Sequence, residues 1–285
     1  MATPAGNYQF AFGDYSFGGT QYGVQILEIN GLESLPSLRV QDDSGGYRDG
    51  QFTGRDFLNG RYLTLQLQVM NDGVNTMQAY LAQLKTAFVY QQTGTTLMQF
   101  QLPGRAVQQM YGRVRKRDIK IDPEYVYGRS VATVEIFCPD PRIYDAAAQG
   151  AVLTPGSNVG RVYNRTYNLV YNTPVAGSSA FATFTNSGNI TVFPSITFNG
   201  AVQNPRIVNS TTGAFIQLNI VTSATDTLVI DPDLRTVTYN GNPARNLVDS
   251  SSTWFGFPPG TTTLGIVVAT ALGGTCSVVY RNGYV

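Results

Sequence analysis

The sequence of 285 residues predicts a mainly β protein with two domains. Residues 62–69 alternate apolar and polar side chains, the pattern of a strand with one buried face. From Ile190 onwards, short alternating segments separated by turn residues predict an antiparallel sandwich. One helix is expected in the first domain, because four apolar side chains recur at spacings of four, three and four: Met77, Leu81, Leu84 and Phe88.

Charge density separates the two domains. Residues 1–150 include 13 basic and 14 acidic side chains, whereas residues 151–285 include 6 and 4. The stretch between them is rich in small residues, which is typical of a linker. We therefore expect a first domain at 1–145, a linker at 146–160 and a second domain at 161–285.

The composition excludes most common catalytic sites. The chain contains no histidine, so it lacks Ser-His-Asp and Cys-His arrangements and imidazole metal ligands. Its two cysteines, Cys138 and Cys276, could bridge the domains, but burial as two small apolar core residues is favoured. The few acidic residues of the second domain all fall in predicted turns, which disfavours a glycosidase carboxylate pair. We expect no enzyme activity, no cofactor and no metal site.

Net charge and hydropathy indicate whether the chain would bind nucleic acid or a membrane. A net charge of +1 gives no overall attraction to nucleic acid or to an anionic membrane. The longest apolar stretch, residues 264–272, is about half the length that a membrane span needs. We therefore expect no membrane insertion.

Residues 41–60 form a long loop, which contains several glycines and aspartates. A loop of this length within a compact domain is usually functional or an interaction arm. We predict that it contacts a neighbouring subunit through Asp49, Arg55 and Asp56.

A second candidate contact is the basic run on a predicted strand, Arg113, Arg115, Lys116 and Arg117. Regular alternation would place its three arginines on one face with Ile119 and Ile121, so we expect either a strand that leaves the core or a bulge near Lys116. Nucleic-acid binding would need a broader basic field. A solvated strand end and contact with a neighbouring subunit both remain open.

Trp254 lies in a proline- and glycine-rich corner with Phe255 and Phe257. Packing of that corner is the favoured interpretation, since aromatic side chains dominate core burial. Stacking of Trp254 on a sugar is the alternative.

Several segments of the second domain have the order and spacing typical of one family: residues 184–189, 193–200, 204–209, 211–213, 228–231, 237–241, 254–260 and 280–284. In the first domain, residues 29–32, Arg61, the single helix and residues 140–144 extend the pattern. On these residues the sequence resembles the distal tail proteins (Dit) of long-tailed, siphovirus-type phages.

The resemblance implies a structural virion protein. Its N-terminal domain would be a β-sandwich or barrel-like ring domain with one helix, and its C-terminal domain a galectin-like jelly roll. Six copies would form a hexameric ring at the tail tip, assembled in the host cytoplasm. The ring would join the tail tube protein to the tail-tip and receptor-binding proteins. Genome DNA would pass through its channel without specific binding.

Two further expectations follow from this resemblance. The basic run should not line the channel, because a ring of such clusters would bind the phosphates of the genome and slow its passage. The alternative function is a carbohydrate-binding module that recognises a host cell-surface glycan.

Overall fold

The computed structural model describes residues 2–4, 6–19, 23–44, 49–72, 75–154, 156–157 and 181–285. The chain divides into two compact units, Met1–Ala146 and Ala147–Tyr284. Both units are built mainly from antiparallel strands, so the predicted mainly β class is confirmed.

The elements of the first unit are β1 (Gln9–Phe12), β2 (Tyr15–Gly18), β3 (Val24–Asn30), β4 (Leu38–Arg39), β5 (Asp43–Ser44), β6 (Gln51–Phe52), β7 (Phe57–Leu58), β8 (Arg61–Met70), α1 (Met77–Ala87), β9 (Thr96–Gln101), β10 (Gln108–Ile119), α2 (Pro123–Val126), β11 (Arg129–Cys138) and β12 (Ile143–Asp145). Its main sheet has the strand order β2-β1-β9-β10-β11-β8-β3, and β12 pairs with β10. Two smaller ladders, β4 with β7 and β5 with β6, lie outside this sheet.

The core of the first unit lies between the main sheet and helix α1. The leucines of β8 alternate as the sequence predicts, and Leu63, Leu65 and Leu67 are fully buried. Helix α1 packs against this strand and buries Met77, Leu81 and Leu84. Burial of each such side chain contributes about 1.5–3 kcal/mol, which fixes the helix on one face of the sheet.

Strand β10 contains a bulge near Lys116, one of the two alternatives that the sequence leaves open for this strand. The register with β11 shifts between Val114 and Lys116, so Arg115 is an extra residue without a partner across the ladder. Beyond the bulge, Arg117 lies opposite the buried Val134. The bulge therefore separates the three arginines, because the extra residue moves Arg117 to the face of the helix, away from Arg113.

The elements of the second unit are β13 (Gln149–Leu153), β14 (Gly156–Ser157), β15 (Phe181–Asn186), β16 (Ser195–Asn199), β17 (Val202–Gln203), β18 (Arg206–Asn209), β19 (Phe215–Gln217), β20 (Thr227–Asp231), β21 (Thr236–Tyr239), β22 (Asn242–Pro243), a 3-10 helix (Arg245–Leu247), β23 (Gly260–Val268), β24 (Thr270–Ala271), β25 (Thr275–Tyr280) and β26 (Gly283–Tyr284). One sheet has the order β13-β25-β16-β20-β21-β22. A second has the order β14-β23-β18-β19, with β15 also beside β23.

Alternating side chains supply the core of the second unit. Ile196, Ile230 and Val278 meet across three neighbouring strands and are fully buried, as are Ile207 and Ile266 in the other sheet. Ile196, Ile230, Ile266 and Val278 are positions where the sequence predicts inward-facing residues.

The segment 146–160, predicted as a linker, includes strand β13, which pairs with β25 in the second unit. Residues 155 and 158–160 of this segment lie outside the described residues, as do residues 161–180 of the predicted second domain. Across the part of the chain that the structure describes, no helix is long and apolar enough to cross a membrane.

Candidate interaction surfaces

An exposed arm projects from the first unit at the predicted loop. We define the arm as residues 37–59, which form the ladders β4–β7 and β5–β6. Every described residue from 37 to 57 is exposed, so these residues bury no core of their own. Asp49, Arg55 and Asp56 lie on this arm, and their contact with another subunit stays a prediction.

The surface of the arm is partly apolar. Phe57 lies under two guanidinium groups, with Arg39 at 5.1 Å and Arg55 at 5.3 Å from the ring centroid. Phe52 is 55% exposed and Val40 is 51% exposed. Large apolar side chains at such exposure cost free energy in water, which favours their burial against another surface.

Arg61 holds the segment that leads into the arm, residues 31–36, which we call the root of the arm. Its side chain is buried at 2% exposure, and its Nη1 donates to the carbonyls of Gly31, Leu32 and Ser34 at 2.8, 2.5 and 2.7 Å. Its Nε donates to the carbonyl of Pro141 at 3.1 Å. Burial lowers the pKa of Arg61, because a charged group loses solvation there.

Two further features fix the same root. Glu33 accepts two hydrogen bonds from the guanidinium of Arg105, at 2.7 and 3.1 Å. Gly31 has a φ of +86°, and a Cβ there would lie 2.1 Å from the carbonyl oxygen of Tyr62. Only glycine fits this turn, so the chain leaves β3 in a defined direction.

The anchoring role of Arg61 was not inferred from the sequence, although a signal for it was present. Period-two alternation along β8 places residue 61 on the same face as Leu63, Leu65 and Leu67. An arginine at such a position must be buried with partners or distort the strand.

Arg117 is committed to the end of helix α1. Its Nη1 donates to the carbonyls of Lys85 and Phe88, at 2.7 and 3.0 Å. The last carbonyls of a helix lack internal partners and attract positive charge, so this contact stabilises the helix. Of the four basic residues predicted as a contact cluster, Arg117 thus has a local structural role. Arg113 also makes a local contact, since its Nε donates to the carbonyl of Gly94 at 2.8 Å.

Arg113 and Arg115 lie beside two aromatic rings on the sheet face opposite α1, and Lys116 pairs with Glu135 on the same face. Arg113 and Tyr62 are both register partners of Phe137, and the guanidinium of Arg115 lies 5.2 Å from the Phe137 ring centroid. The rings of Tyr62 and Phe137 are 4.9 Å apart. We call these four residues together with Lys116 the basic–aromatic face.

Trp254 is half-buried, whereas its neighbour Phe257 is fully buried. The ring of Phe257 lies 5.3 Å from that of Phe184 and 5.2 Å from that of Tyr280. Phe257 is therefore the central aromatic of this corner. The choice between packing and sugar stacking for Trp254 stays open.

The acidic side chains of the second unit accept hydrogen bonds within turns. The carboxylate of Asp226 accepts hydrogen bonds from Tyr239 Oη, Asn240 Nδ2 and the backbone N–H of Ser223, at 2.7, 2.9 and 2.7 Å. These donors hold the pKa of Asp226 well below its usual range. Among the described residues, no cluster of three or more Cys, Asp or Glu side chains has the arrangement of a metal site.

The second unit matches a known family. Residues 187–284 fit the family model of the siphovirus-type tail component, C-terminal domain. The chain contains this tail-component domain. The resemblance to phage distal tail proteins seen in the sequence is thereby confirmed for this part of the chain.

Solved structures of phage proteins share the fold of this chain. The crystal structure of the Dit protein (gp 19.1) of phage SPP1, described as a paradigm of the hub adsorption apparatus in phages that infect Gram-positive bacteria, aligns with a TM-score of 0.66 at 15% identity. The alignment covers 97% of this chain and 99% of that chain. A chain of the phage P2 baseplate aligns with a TM-score of 0.50 at 9% identity, over 95% of this chain and 97% of that one. No curated protein sequence matches the chain.

Proposed function

We propose that this tail component is a distal tail protein, which forms a ring between the tail tube and the tail-tip proteins. The observation that supports this function best is the likeness of fold to SPP1 Dit over nearly the full length of both chains. The tail-component domain at residues 187–284 adds independent support from sequence. The proposed ring contains six copies and leaves a channel for the genome.

The arm supplies a mechanism for ring closure. Identical copies form a ring when each one presents a surface that fits a different surface of its neighbour. The described residues of the arm from 37 to 57 are all exposed, so the arm gains little stability from burial in an isolated copy. We infer that it is buried against the next copy, with Asp49, Arg55 and Asp56 among its contacts.

The proposed passage of DNA without specific binding is consistent with the contacts of two basic residues, Arg117 and Lys116, which have partners within the chain. Arg117 bonds carbonyl groups of α1, and Lys116 pairs with Glu135 at 3.8 Å. A net charge of +1 adds no general attraction for phosphates. In this proposal the protein acts through its geometry, has no enzymatic activity and is located at the tail tip of virions assembled in the host cytoplasm.

Native mass spectrometry and negative-stain electron microscopy of the purified protein test the proposal. We expect a closed ring for the full chain. The matched variant replaces residues 40–56 by a short Gly-Ser turn. The two ends can be joined in this way because Arg39 and Phe57 are partners in the β4–β7 ladder. This variant should be a folded monomer. A monomeric full chain at high concentration would contradict the ring, and normal rings without the arm would contradict its role.

A further inference from the structure

A ring joined head to tail needs an acceptor for each arm, and the acceptor must lie elsewhere on the same chain. Building on the ring proposed above, we propose that the arm of one copy docks on the basic–aromatic face of the next copy. The occupant of this face is thus a second copy of the same chain.

The outer part of the arm is acidic and apolar. Between residues 40 and 50 the sequence contains three aspartates and one arginine, a net charge of −3 + 1 = −2. Asp43 and Asp49 are exposed, and so are the apolar side chains of Val40 and Phe52. A fitting acceptor therefore offers positive charge next to apolar surface.

The basic–aromatic face has this composition. Arg115 and Lys116 are exposed and Arg113 is half-buried, while Glu135 is the acidic side chain paired with Lys116. Asp118, exposed and two residues beyond Lys116 on the same face, adds a second negative charge, so the face has a net charge of +3 − 2 = +1. Tyr62, at 62% exposure, provides aromatic surface beside the positive charges.

The aromatic pair explains how such a surface would bind a strand-like arm. Tyr62 and Phe137 lie side by side on neighbouring strands, so their rings form a platform next to Arg115. Aromatic and arginine side chains are enriched in interfaces because they bury large areas while keeping polar contacts. Phe52 and Val40 would pack on this platform while Asp43 and Asp49 meet the cations.

A second exposed apolar surface of the first unit fits the arm less well. Ile121, Val126 and Tyr127, at the turn around α2, are each more than 80% exposed. The charged residues of this turn are Lys120, Arg129, Asp122 and Glu124, which sum to +2 − 2 = 0. This turn therefore offers no charge complementarity to an acidic arm, whereas the basic–aromatic face does.

Charge reversal in trans tests the inference. The arm variant is Asp43→Lys with Asp49→Lys, which leaves Asp42 free to accept its hydrogen bond from the backbone N–H of Gly54. The face variant is Arg115→Glu with Lys116→Glu. Each variant alone places like charges together, so we expect the concentration of half-assembly to rise by about tenfold or more. Native mass spectrometry across a dilution series measures it, and circular dichroism checks that both variants fold.

An equimolar mixture of the two variants is the decisive sample. In a ring of alternating copies, the reversed arm meets the reversed face and the original arm meets the original face. We therefore expect the mixture to assemble near the wild-type concentration. A role in folding alone would give no such rescue.

The control is Lys85→Glu with Lys120→Glu, which changes the charge by the same amount outside the basic–aromatic face. It should assemble as the wild type does. The inference is overturned if the face variant assembles normally, or if the mixture of folded variants fails to assemble. A monomeric wild type would instead overturn the ring itself, so the two failures are distinguishable.

Discussion

Replacement of the buried Arg61 by methionine should destabilise the first unit strongly. The side chain donates four hydrogen bonds to backbone carbonyls. At about 1 kcal/mol of net stabilisation each, their loss sums to about 4 kcal/mol. Part of this loss is offset, because methionine also removes a buried charge whose Nη2 has no hydrogen-bond partner. We expect Arg61→Met to lower the free energy of unfolding by about 2–4 kcal/mol.

Urea denaturation followed by far-UV circular dichroism measures this loss. Trp254 is the single tryptophan and lies in the second unit, so its fluorescence follows that unit separately. The matched control is Arg105→Gln, which removes the exposed hydrogen-bonded pair with Glu33 at the same root. Because both partners are about half exposed, that change should cost less than about 1 kcal/mol.

The reasoning about the root would be refuted if Arg61→Met cost no more than Arg105→Gln. Such a result would mean that water replaces the guanidinium at the carbonyls of Gly31, Leu32 and Ser34 without penalty. Hydrogen exchange of the backbone amides at 31–35 would distinguish the two cases, since a hydrated segment exchanges faster.

Three further outcomes are expected. Arg117→Gln should lower the free energy of unfolding by about 1 kcal/mol in the same urea assay, with faster amide exchange in the last turn of α1. Asp226→Asn should lower the melting temperature at pH 7. The pKa of Asp226 is lower in the folded state, so the ionised carboxylate stabilises the fold above the unfolded pKa of about 3.9. This stabilisation is lost as the pH falls. The difference in melting temperature between wild type and variant should therefore be smaller at pH 3 than at pH 7. Cys138 and Cys276 are buried free thiols, and burial raises the pKa of Cys138 to about 12. Neither should react with a disulfide reagent at pH 8 until urea is added.

The sequence was sufficient to predict elements whose patterns depend on one buried face. The leucines of β8 and the apolar stripe of α1 are such elements, and both are found where expected. The strands of the second unit follow for the same reason, because their inward residues recur at every second position. Burial of apolar area dominates these choices, and its period is visible in the residues themselves.

Features that depend on long-range contacts were harder to predict. The acceptors of Arg61 lie 27 to 80 residues away along the chain, so no local pattern shows them. The role of Arg117 depends on the end of a helix about 30 residues earlier. The bulge was foreseen near Lys116, but its effect on Arg117 required the register of β10 with β11.

The bulge in β10 also determines how this strand tolerates changes in length. A single deletion in a central strand normally moves every later side chain to the wrong face. Deletion of Arg115 would instead leave Val114 facing the core, Lys116 facing outward and Arg117 facing the helix, because Arg115 is the residue without a partner. In natural or designed variants with one residue fewer in β10, we therefore expect Arg115 to be the missing residue and Val114 and Lys116 to keep their places.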